Sequence, residues 1–338
     1  MDYVTLGSTN IKVNKNGFGA LPIQRLGMEE AGFLLKKAYD NGITFFDTAR
    51  GYTDSEEKIG RALSGVRDKI IIATKTFAQN ADMFWEQLSE SLSLLKTDYI
   101  DIYQFHNPSF CPKPEDGTGL YEAMLKAKEQ GKIRHIGITN HRMDIAREAV
   151  ESGLYETLQF PISYLALDDE VDFIRLCEAR NMGVLAMKAL SGGLITNSAA
   201  AYAFMLKFPA TIPIWGVQRE NELDEFIAYH TAPPSMDAEM ERMIAKDVKE
   251  LGGEFCRGCG YCLPCPAKIV IPMCARMSLL IKRAPESLWG TEEWKDNMQA
   301  IDNCVDCGHC KAHCPYDLDV TKLLRENLAD FRNFMNLN

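Results

Sequence analysis

Residues 69–107 read KIIIATKTFAQNADMFWEQLSESLSLLKTDYIDIYQFHN, and the alternation inside this stretch decides the fold. Two β-rich apolar runs, KIIIATKT and IDIYQFHN, flank ADMFWEQLSESLSLLK, where apolar residues recur at helical spacing. The order is strand, polar turn, helix, strand. Outward from this unit the same alternation extends from residue 15 to about 217. NGFGALPI and ITFFDTA read as the strands before it, and RHIGITN, LQFPIS, GVLAMKA and TIPIWGV as the strands after it. Between them fall the helical stretches GMEEAGFLLKKAYDNG, DSEEKIGRALSG, LYEAMLKAKEQGK, RMDIAREAVESGL, DEVDFIRLCEARN and NSAAAYAFMLKFP, with ENELDEFIAYH closing the series. Eight alternating units, each too short to be a domain, predict an α/β chain closed into a (β/α)8 TIM barrel. An open doubly wound sheet is the rival, but it usually carries a G-x-G-x-x-G turn after its first strand, and that turn is absent here.

In such a barrel, reactive side chains collect at the C-terminal ends of the strands. ITFFDTA delivers Asp47, KIIIATKT delivers Lys75, IDIYQFHN delivers His106, and the loop ARGYTDSE offers Tyr52. Singly, each has a plain structural explanation: Asp47 as a turn cap, Lys75 as a solvated strand end, His106 as a satisfied polar residue. A barrel sets these strand ends side by side, and that makes the group informative. Proton transfer works best with a group whose pKa lies near the working pH, and a tyrosine with a pKa of about 10 is a sluggish acid-base group at neutral pH. An ammonium at Lys75 is expected to lower the pKa of Tyr52, with Asp47 holding the lysine in place. His106 would donate a hydrogen bond to a substrate oxygen.

The elements FFDTARGY, ATKT and QFHN resemble the signature of the aldo-keto reductase family, and the similarity extends from about Leu6 to Tyr229. The opening LGSTNIKVNKNGFGA resembles the hairpin that plugs the barrel floor in that family. The resemblance implies an NAD(P)H-dependent oxidoreductase that interconverts a small carbonyl compound and its alcohol. Asp47, Tyr52, Lys75 and His106 match the family's catalytic four, with Tyr52 as general acid and base. The resemblance also implies that Thr139, Asn140 and Gln159 bind the nicotinamide carboxamide and that Met187 stacks on its ring, although Met187 reads equally well as core. Leu190, Ser191, Gly192 and Gly193 form a loop whose amides would face the pyrophosphate. At the adenine end, the lysine and arginine that animal members place around a 2′-phosphate are replaced by Gly216 and Glu222. Gln218, Arg219 and Asn221 stand nearby to compensate, since arginine suits phosphate geometry. Both NADP(H) and NAD(H) remain open as the cofactor.

Eight cysteines near the C-terminus fall into two groups: Cys256, Cys259, Cys262 and Cys265, then Cys304, Cys307, Cys310 and Cys314, with Pro266 and Pro315 directly after them. The second group reads C-x2-C-x2-C-x3-C-P, the bacterial ferredoxin run in which the fourth thiolate crosses to the other of two iron-sulfur clusters. The first group is one residue shorter before its last cysteine, which is tolerable if Cys265 ligates the distant 4Fe-4S cube. On that reading Cys256, Cys259, Cys262 and Cys314 hold one cluster, and Cys265, Cys304, Cys307 and Cys310 hold the other. Zinc would require two sites and leave the prolines unexplained. Disulfides need an oxidising compartment, and the opening MDYVTLGSTN has neither a basic n-region nor an apolar h-region. The C-terminal segment resembles the ferredoxin-like extension of a subgroup of aldo-keto reductases. Cys177 reads as a buried small hydrophobe, Cys274 as a spare thiol between the two groups, and Cys111 as a loop thiol with nothing nearby to activate it.

With 338 residues, 46% of them hydrophobic and 25% charged, the chain is long enough for one large domain and a smaller one. The expected division is a barrel over 1–232, a linker helix over 233–254 between a double proline and Gly252-Gly253, and a small, mainly α-helical ferredoxin-like domain with two 4Fe-4S clusters over 255–338. No apolar run approaches the roughly 18 residues of a membrane span. The net charge of −10 argues against nucleic acid or an anionic membrane as partner, and a cytoplasmic location is expected. A small-molecule carbonyl or alcohol is the expected substrate, with a ferredoxin or flavoprotein as the redox partner the clusters would serve. The loop NPSFCPKPEDGTG, Tyr164 and Trp215 are candidates to line the substrate mouth. A cube passes single electrons and nicotinamide exchanges a hydride, so direct coupling needs a flavin or a partner that splits the pair. Three arrangements follow: a reductase with structural or regulatory clusters, a barrel wired through its clusters to a ferredoxin or flavoprotein, or an electron carrier on a barrel that no longer turns over. Retention of the catalytic four counts against the last.

Overall fold

The chain begins as an antiparallel hairpin, β1 (Tyr3–Thr5) and β2 (Lys12–Asn14), in which Val4 faces Val13. Val4, Leu6 and Val13 pack in one cluster with Phe45, Ala73, Ile102, Leu185 and Ile212, which lie at or near the starts of barrel strands. The hairpin therefore seals one end of the barrel with apolar side chains, as its sequence suggests. A computed structural model provides this description, and it covers residues 3–251, 255–282 and 289–336.

Eight parallel strands then close the barrel: β3 (Gly17–Gly19), β4 (Phe45–Asp47), β5 (Ile71–Thr76), β6 (Ile100–His106), β7 (Ile133–Thr139), β8 (Thr157–Pro161), β9 (Gly183–Met187) and β10 (Thr211–Gly216). Each is followed by a helix: α1 (Met28–Asp40), α2 (Ser55–Leu63), α3 (Ala81–Leu95), α4 (Leu120–Glu129), α5 (Met143–Ser152), α6 (Asp168–Ala179), α7 (Ser198–Met205) and α8 (Glu220–Thr231). Strands buried on both faces read as continuous apolar runs, and this is why KIIIATKT and IDIYQFHN carry so little polar alternation. The observed strands are shorter than the runs that announce them. NGFGALPI contributes only Gly17–Gly19 because Pro22, which has no N–H for a ladder, opens a 3-10 turn over Pro22–Arg25. A Cβ on Gly17 or Gly19 would stand 2.7 or 2.9 Å from the Ile214 side chain, so glycine is what lets β3 approach β10.

α3 shows how the helices are made. The Asn80 side chain accepts a hydrogen bond from the Met83 amide at 3.0 Å and starts the helix, and Lys96 ends it in the left-handed conformation. Phe84, Leu88, Ser91 and Leu95 recur three or four residues apart and are buried on one face. Truncating Leu88, which is fully buried, to alanine would cost roughly 2–5 kcal/mol.

Internal contacts divide the chain into a unit formed by Met1–Ala189 with Ser198–Asp237 and a second formed by Leu190–Asn197 with Ala238–Asn338. The helix expected as a linker, α9 (Ala238–Leu251), groups with the second unit. So does the loop between β9 and α7. The second unit also holds the helices α10 (Ile271–Cys274), α11 (Met277–Leu280), α12 (Glu292–Gln299), α13 (His309–Ala312) and α14 (Val320–Phe334). Asp319 caps α14 through the Lys322 amide at 3.1 Å, and the helix buries Val320, Leu324, Leu328 and Phe331 along one stripe. Gly252 and Gly253, read as a helix stop, lie outside the described residues. Among the described residues no helix is long and apolar enough to cross a membrane.

Candidate active site and cysteine cavity

Parallel pairing brings the ends of β4, β5 and β6 together, with Asp47 opposite Ala73 and Lys75 opposite Gln104. The Lys75 ammonium donates to Asp47 Oδ1 and Oδ2 at 2.8 Å each and to the Thr48 carbonyl at 2.6 Å, which occupies its three donors. Gln159 Nε2 donates to Asp47 Oδ2 at 3.3 Å. The lysine side chain is 1% exposed and the aspartate side chain 5%, so each ion depends on the other for compensation. Burial pushes the Asp47 carboxyl up and the Lys75 ammonium down, and each shift is opposed by the partner's charge.

Tyr52 reaches this pair from a loop laced along β5. The Thr48 amide donates to the Ala73 carbonyl at 2.8 Å and the Arg50 amide to the Lys75 carbonyl at 3.0 Å. Arg50 pairs with buried Glu56, which also accepts from Thr74 Oγ1 at 2.6 Å. This loop anchor was not singled out in the sequence, where DSEEKIG reads only as a helix start. The Lys75 Nζ lies 5.2 Å from the Tyr52 ring centroid, and the rings of Tyr52 and His106 meet edge-on at 5.7 Å and 82°. Asp47, Tyr52, Lys75 and His106 are thus one contiguous group.

The electrostatics correct one expectation. Tyr52 is shifted above the ordinary phenol value, first by burial and then by the Asp47 carboxylate. Burial outweighs the Lys75 charge, which is already engaged by Asp47 and meets the ring face. Tyr52 is therefore held as a neutral phenol. Burial, followed by the Lys75 charge, pushes His106 down to about 3, so its ring is neutral and able to donate. Another histidine, His141, is buried near His106 and Lys188, and burial, then Lys188 and His106, holds it well below the usual range. Its position directly after Thr139 and Asn140 was the available signal.

The residues expected around nicotinamide are mostly engaged within the fold. Thr139 Oγ1 accepts from the Asn107 amide at 3.1 Å. Asn140 donates to the Pro108 carbonyl at 2.9 Å and accepts from the Arg142 amide at 2.8 Å. Gln159 accepts from Gln104 Nε2 at 3.2 Å besides donating to Asp47. Met187, half-buried, ends β9 opposite Pro161. Trp215 is 1% exposed and stacked between Phe226 and Tyr202, with centroids 4.5 and 5.7 Å away, and Tyr164 packs edge-on against Phe204. Both aromatics are packed within the fold. Cys111 is buried, and burial pushes its thiol up to about 11; Cys177 and Cys274 are fully buried.

At the adenine end, Glu222 accepts from the amides of Gln218 and Arg219 at 3.0 and 3.1 Å and from the Arg219 guanidinium at 3.2 Å. It caps α8 and neutralises Arg219 together. Gln218 Oε1 accepts from Arg25 at 3.1 Å, bringing a cation the sequence reading had not considered. Asn221 is exposed in the first turn of α8.

In the second unit, Cys265, Cys304, Cys307 and Cys310 line one cavity, which Cys262 also borders. Cys262 lies near Cys256 and Cys259, and burial followed by these neighbours pushes its thiol up to about 12. Cys256, Cys262 and Cys314 are buried, and the Gly258 amide points to Cys256 Sγ at 3.4 Å. Leu190 and Gly192 belong to this unit. Arg276, 5% exposed, donates to the Gly192 carbonyl at 3.0 Å and the Pro272 carbonyl at 2.8 Å. A Cβ on Gly192 or Gly258, both at positive φ, would stand 2.8 or 2.9 Å from that guanidinium. Among the described residues, no three His, Cys, Asp or Glu side chains converge as a set for a single metal ion. Five of the thiols border one cavity instead, a donor set of the kind that ligates iron-sulfur clusters.

A sequence profile described as the aldo/keto reductase family matches residues 15–201, and one described as a 4Fe-4S dicluster domain matches residues 255–319. The first match covers more than half of the chain, which belongs to the aldo/keto reductase family of oxidoreductases and carries a C-terminal 4Fe-4S dicluster domain. L-galactose dehydrogenase of Arabidopsis thaliana is 30% identical over 211 residues, 57% of this chain and 66% of that protein. The NADH-specific methylglyoxal reductase of Escherichia coli strain K12 is 28% identical over 232 residues, 59% of this chain and 70% of the relative. The chain spans slightly less than two thirds of the length of several such relatives. The holo form of an aldo-keto reductase from Bacillus halodurans shares the fold, with a TM-score of 0.63 at 22% identity over 75% of this chain and 98% of that one.

Proposed function

We propose that this chain is an NAD(P)H-dependent carbonyl reductase, running in reverse as an alcohol dehydrogenase, with Tyr52 as the proton donor and acceptor. The observation that carries the reading is the contiguity of Tyr52, Lys75, Asp47 and His106 where β4, β5 and β6 end. Bound NAD(P)H supplies the hydride. The protein's part is to place the carbonyl oxygen between the Tyr52 hydroxyl and the neutral His106 ring, both hydrogen-bond donors. As negative charge grows on that oxygen, Tyr52 gives up its proton. The Lys75 ammonium, held by Asp47, stabilises the phenolate that remains. A phenol shifted upward stays protonated through neutral pH, the form that can give its proton to a carbonyl oxygen. One relative is named a dehydrogenase and another a reductase, which supports a reversible reaction.

The dinucleotide would lie along Thr139, Asn140, Gln159 and Met187, with Gln218, Arg219 and Asn221 toward the adenine ribose. In the dicluster domain, Cys265, Cys304, Cys307 and Cys310 would hold one 4Fe-4S cluster, and Cys256, Cys259, Cys262 and Cys314 the other. The clusters supply one-electron capacity to a ferredoxin or flavoprotein partner, in a cytoplasmic protein. Tyr52→Phe tests the central assignment: hydride transfer to a panel of aldehydes should fall at least about 1,000-fold while dinucleotide affinity changes less than about twofold. Wild-type turnover by that variant would remove Tyr52 from the mechanism.

A further inference from the structure

We propose that His309 donates a hydrogen bond from Nε2–H to the sulfur of the cluster held by Cys265, Cys304, Cys307 and Cys310, and thereby raises that cluster's reduction potential. The inference rests on the reading that these four thiolates hold a cluster. His309 stands between Cys307 and Cys310 in the sequence, opens α13 and lines the same cavity as the four cysteines. Its Nε2 is buried and has no hydrogen-bond partner among the described residues. Leaving a buried polar group unpaired costs about 1–3 kcal/mol, so this nitrogen needs an acceptor that the described residues do not provide.

The cavity wall narrows the choice of acceptor. Ile269, Ile271, Val305 and Leu324 contribute hydrocarbon, and the polar Thr321 is already hydrogen-bonded to Cys310. Sulfur is what remains. Thiolate and sulfide accept and cannot donate, which requires the tautomer with the proton on Nε2. The ring is held from its other side by His313, whose ring stacks on it at a centroid distance of 4.1 Å and 30°. His313 Nδ1 donates to the His309 carbonyl at 2.8 Å, which fixes the stacked partner as well. An N–H dipole aimed at cluster sulfur stabilises the more negative, reduced state more than the oxidised one, so the potential rises.

The test uses the full chain, reconstituted anaerobically, with redox titrations followed by electron paramagnetic resonance. His309→Phe keeps a flat ring without a donor, and His309→Gln keeps a donor at similar reach. His309→Phe, at unchanged iron content, should shift the reduced-to-oxidised ratio of one cluster at least about tenfold toward oxidised, a fall of about 59 mV for one electron, and leave the other cluster in place. His309→Gln should stay near wild type. In protein carrying 15N-histidine, pulsed resonance of the reduced wild type should show coupling to an imidazole nitrogen that His309→Phe abolishes. Unchanged potential and retained coupling in His309→Phe at full iron content would overturn the bond. If His309→Phe fails to assemble, a shifted potential in fully loaded His309→Gln overturns it and a wild-type potential there supports it. Wild-type protein that takes up iron for a single cluster would instead overturn the underlying assignment of two clusters.

Discussion

Replacing Lys75 by methionine removes the ammonium from beneath Asp47 and leaves a buried carboxylate whose remaining side-chain donor is Gln159 Nε2 at 3.3 Å. The aspartate side chain is 5% exposed, so water cannot take over, and breaking one side of such a buried pair is expected to cost about 3–5 kcal/mol. Burial already pushes Asp47 upward, and without Lys75 the shift grows. A folded-state pKa above the unfolded value favours folding at low pH and loses that contribution as pH rises through the folded pKa. The deficit of Lys75→Met should therefore be larger at pH 8 than at pH 5. Combining Lys75→Met with Asp47→Leu removes both charges, and the double variant should recover to within about 2 kcal/mol of wild type, because a packed apolar pair needs no compensation. Urea unfolding followed by far-UV circular dichroism, with iron content matched, measures all four species of the cycle. Turnover should be lost in all three variants, including the stable one. Single costs that simply add in the double variant, with coupling under about 0.5 kcal/mol, would refute the account of Asp47 and Lys75 as one interdependent unit.

His106, pushed down to about 3 by burial, should give no inflection near pH 6.5 in kcat/KM, and its depressed pKa means that stability is present above the unfolded value near 6.5 and is lost as pH falls toward 3. Thermal melts of wild type and His106→Asn across that window check this: the wild type should lose more of its midpoint on acidification than the variant. Glu222→Gln frees the Arg219 charge beside the expected adenine ribose, and the preference for NADPH over NADH should rise about three- to tenfold in fluorescence titrations; no change would place the 2′-phosphate elsewhere. Cys265→Ser should deplete the same cluster as Cys304→Ser and leave that of Cys256 intact, as judged by iron content and resonance spectra; loss of the signal tied to Cys256 would reverse the assumed crossover.

Much of this protein is legible from short-range pattern. The alternation of apolar runs and helical stretches announced each barrel strand and helix, because burial on both faces and a 3.6-residue period leave local traces. Strand limits were less readable: the loss of LPI from the first strand depends on where Pro22 falls against a neighbouring strand. The loop after β9 could not be assigned to its unit from composition, since its grouping with Arg276 arises from a contact 84 residues away in the chain.

By itself, the sequence determined the barrel, the dicluster domain, and the identities of the residues that end β4, β5 and β6, because periodicity and cysteine spacing are properties of neighbours along the chain. Only the tertiary structure decided the protonation of Tyr52, the engagement of Gln159 and Asn140, the packing role of Trp215 and the isolated nitrogen of His309. Those outcomes depend on burial and on partners distant in sequence, as with Gln159 and Asp47, 112 residues apart. A charge buried among such partners obeys the local desolvation balance, which no one-dimensional pattern records.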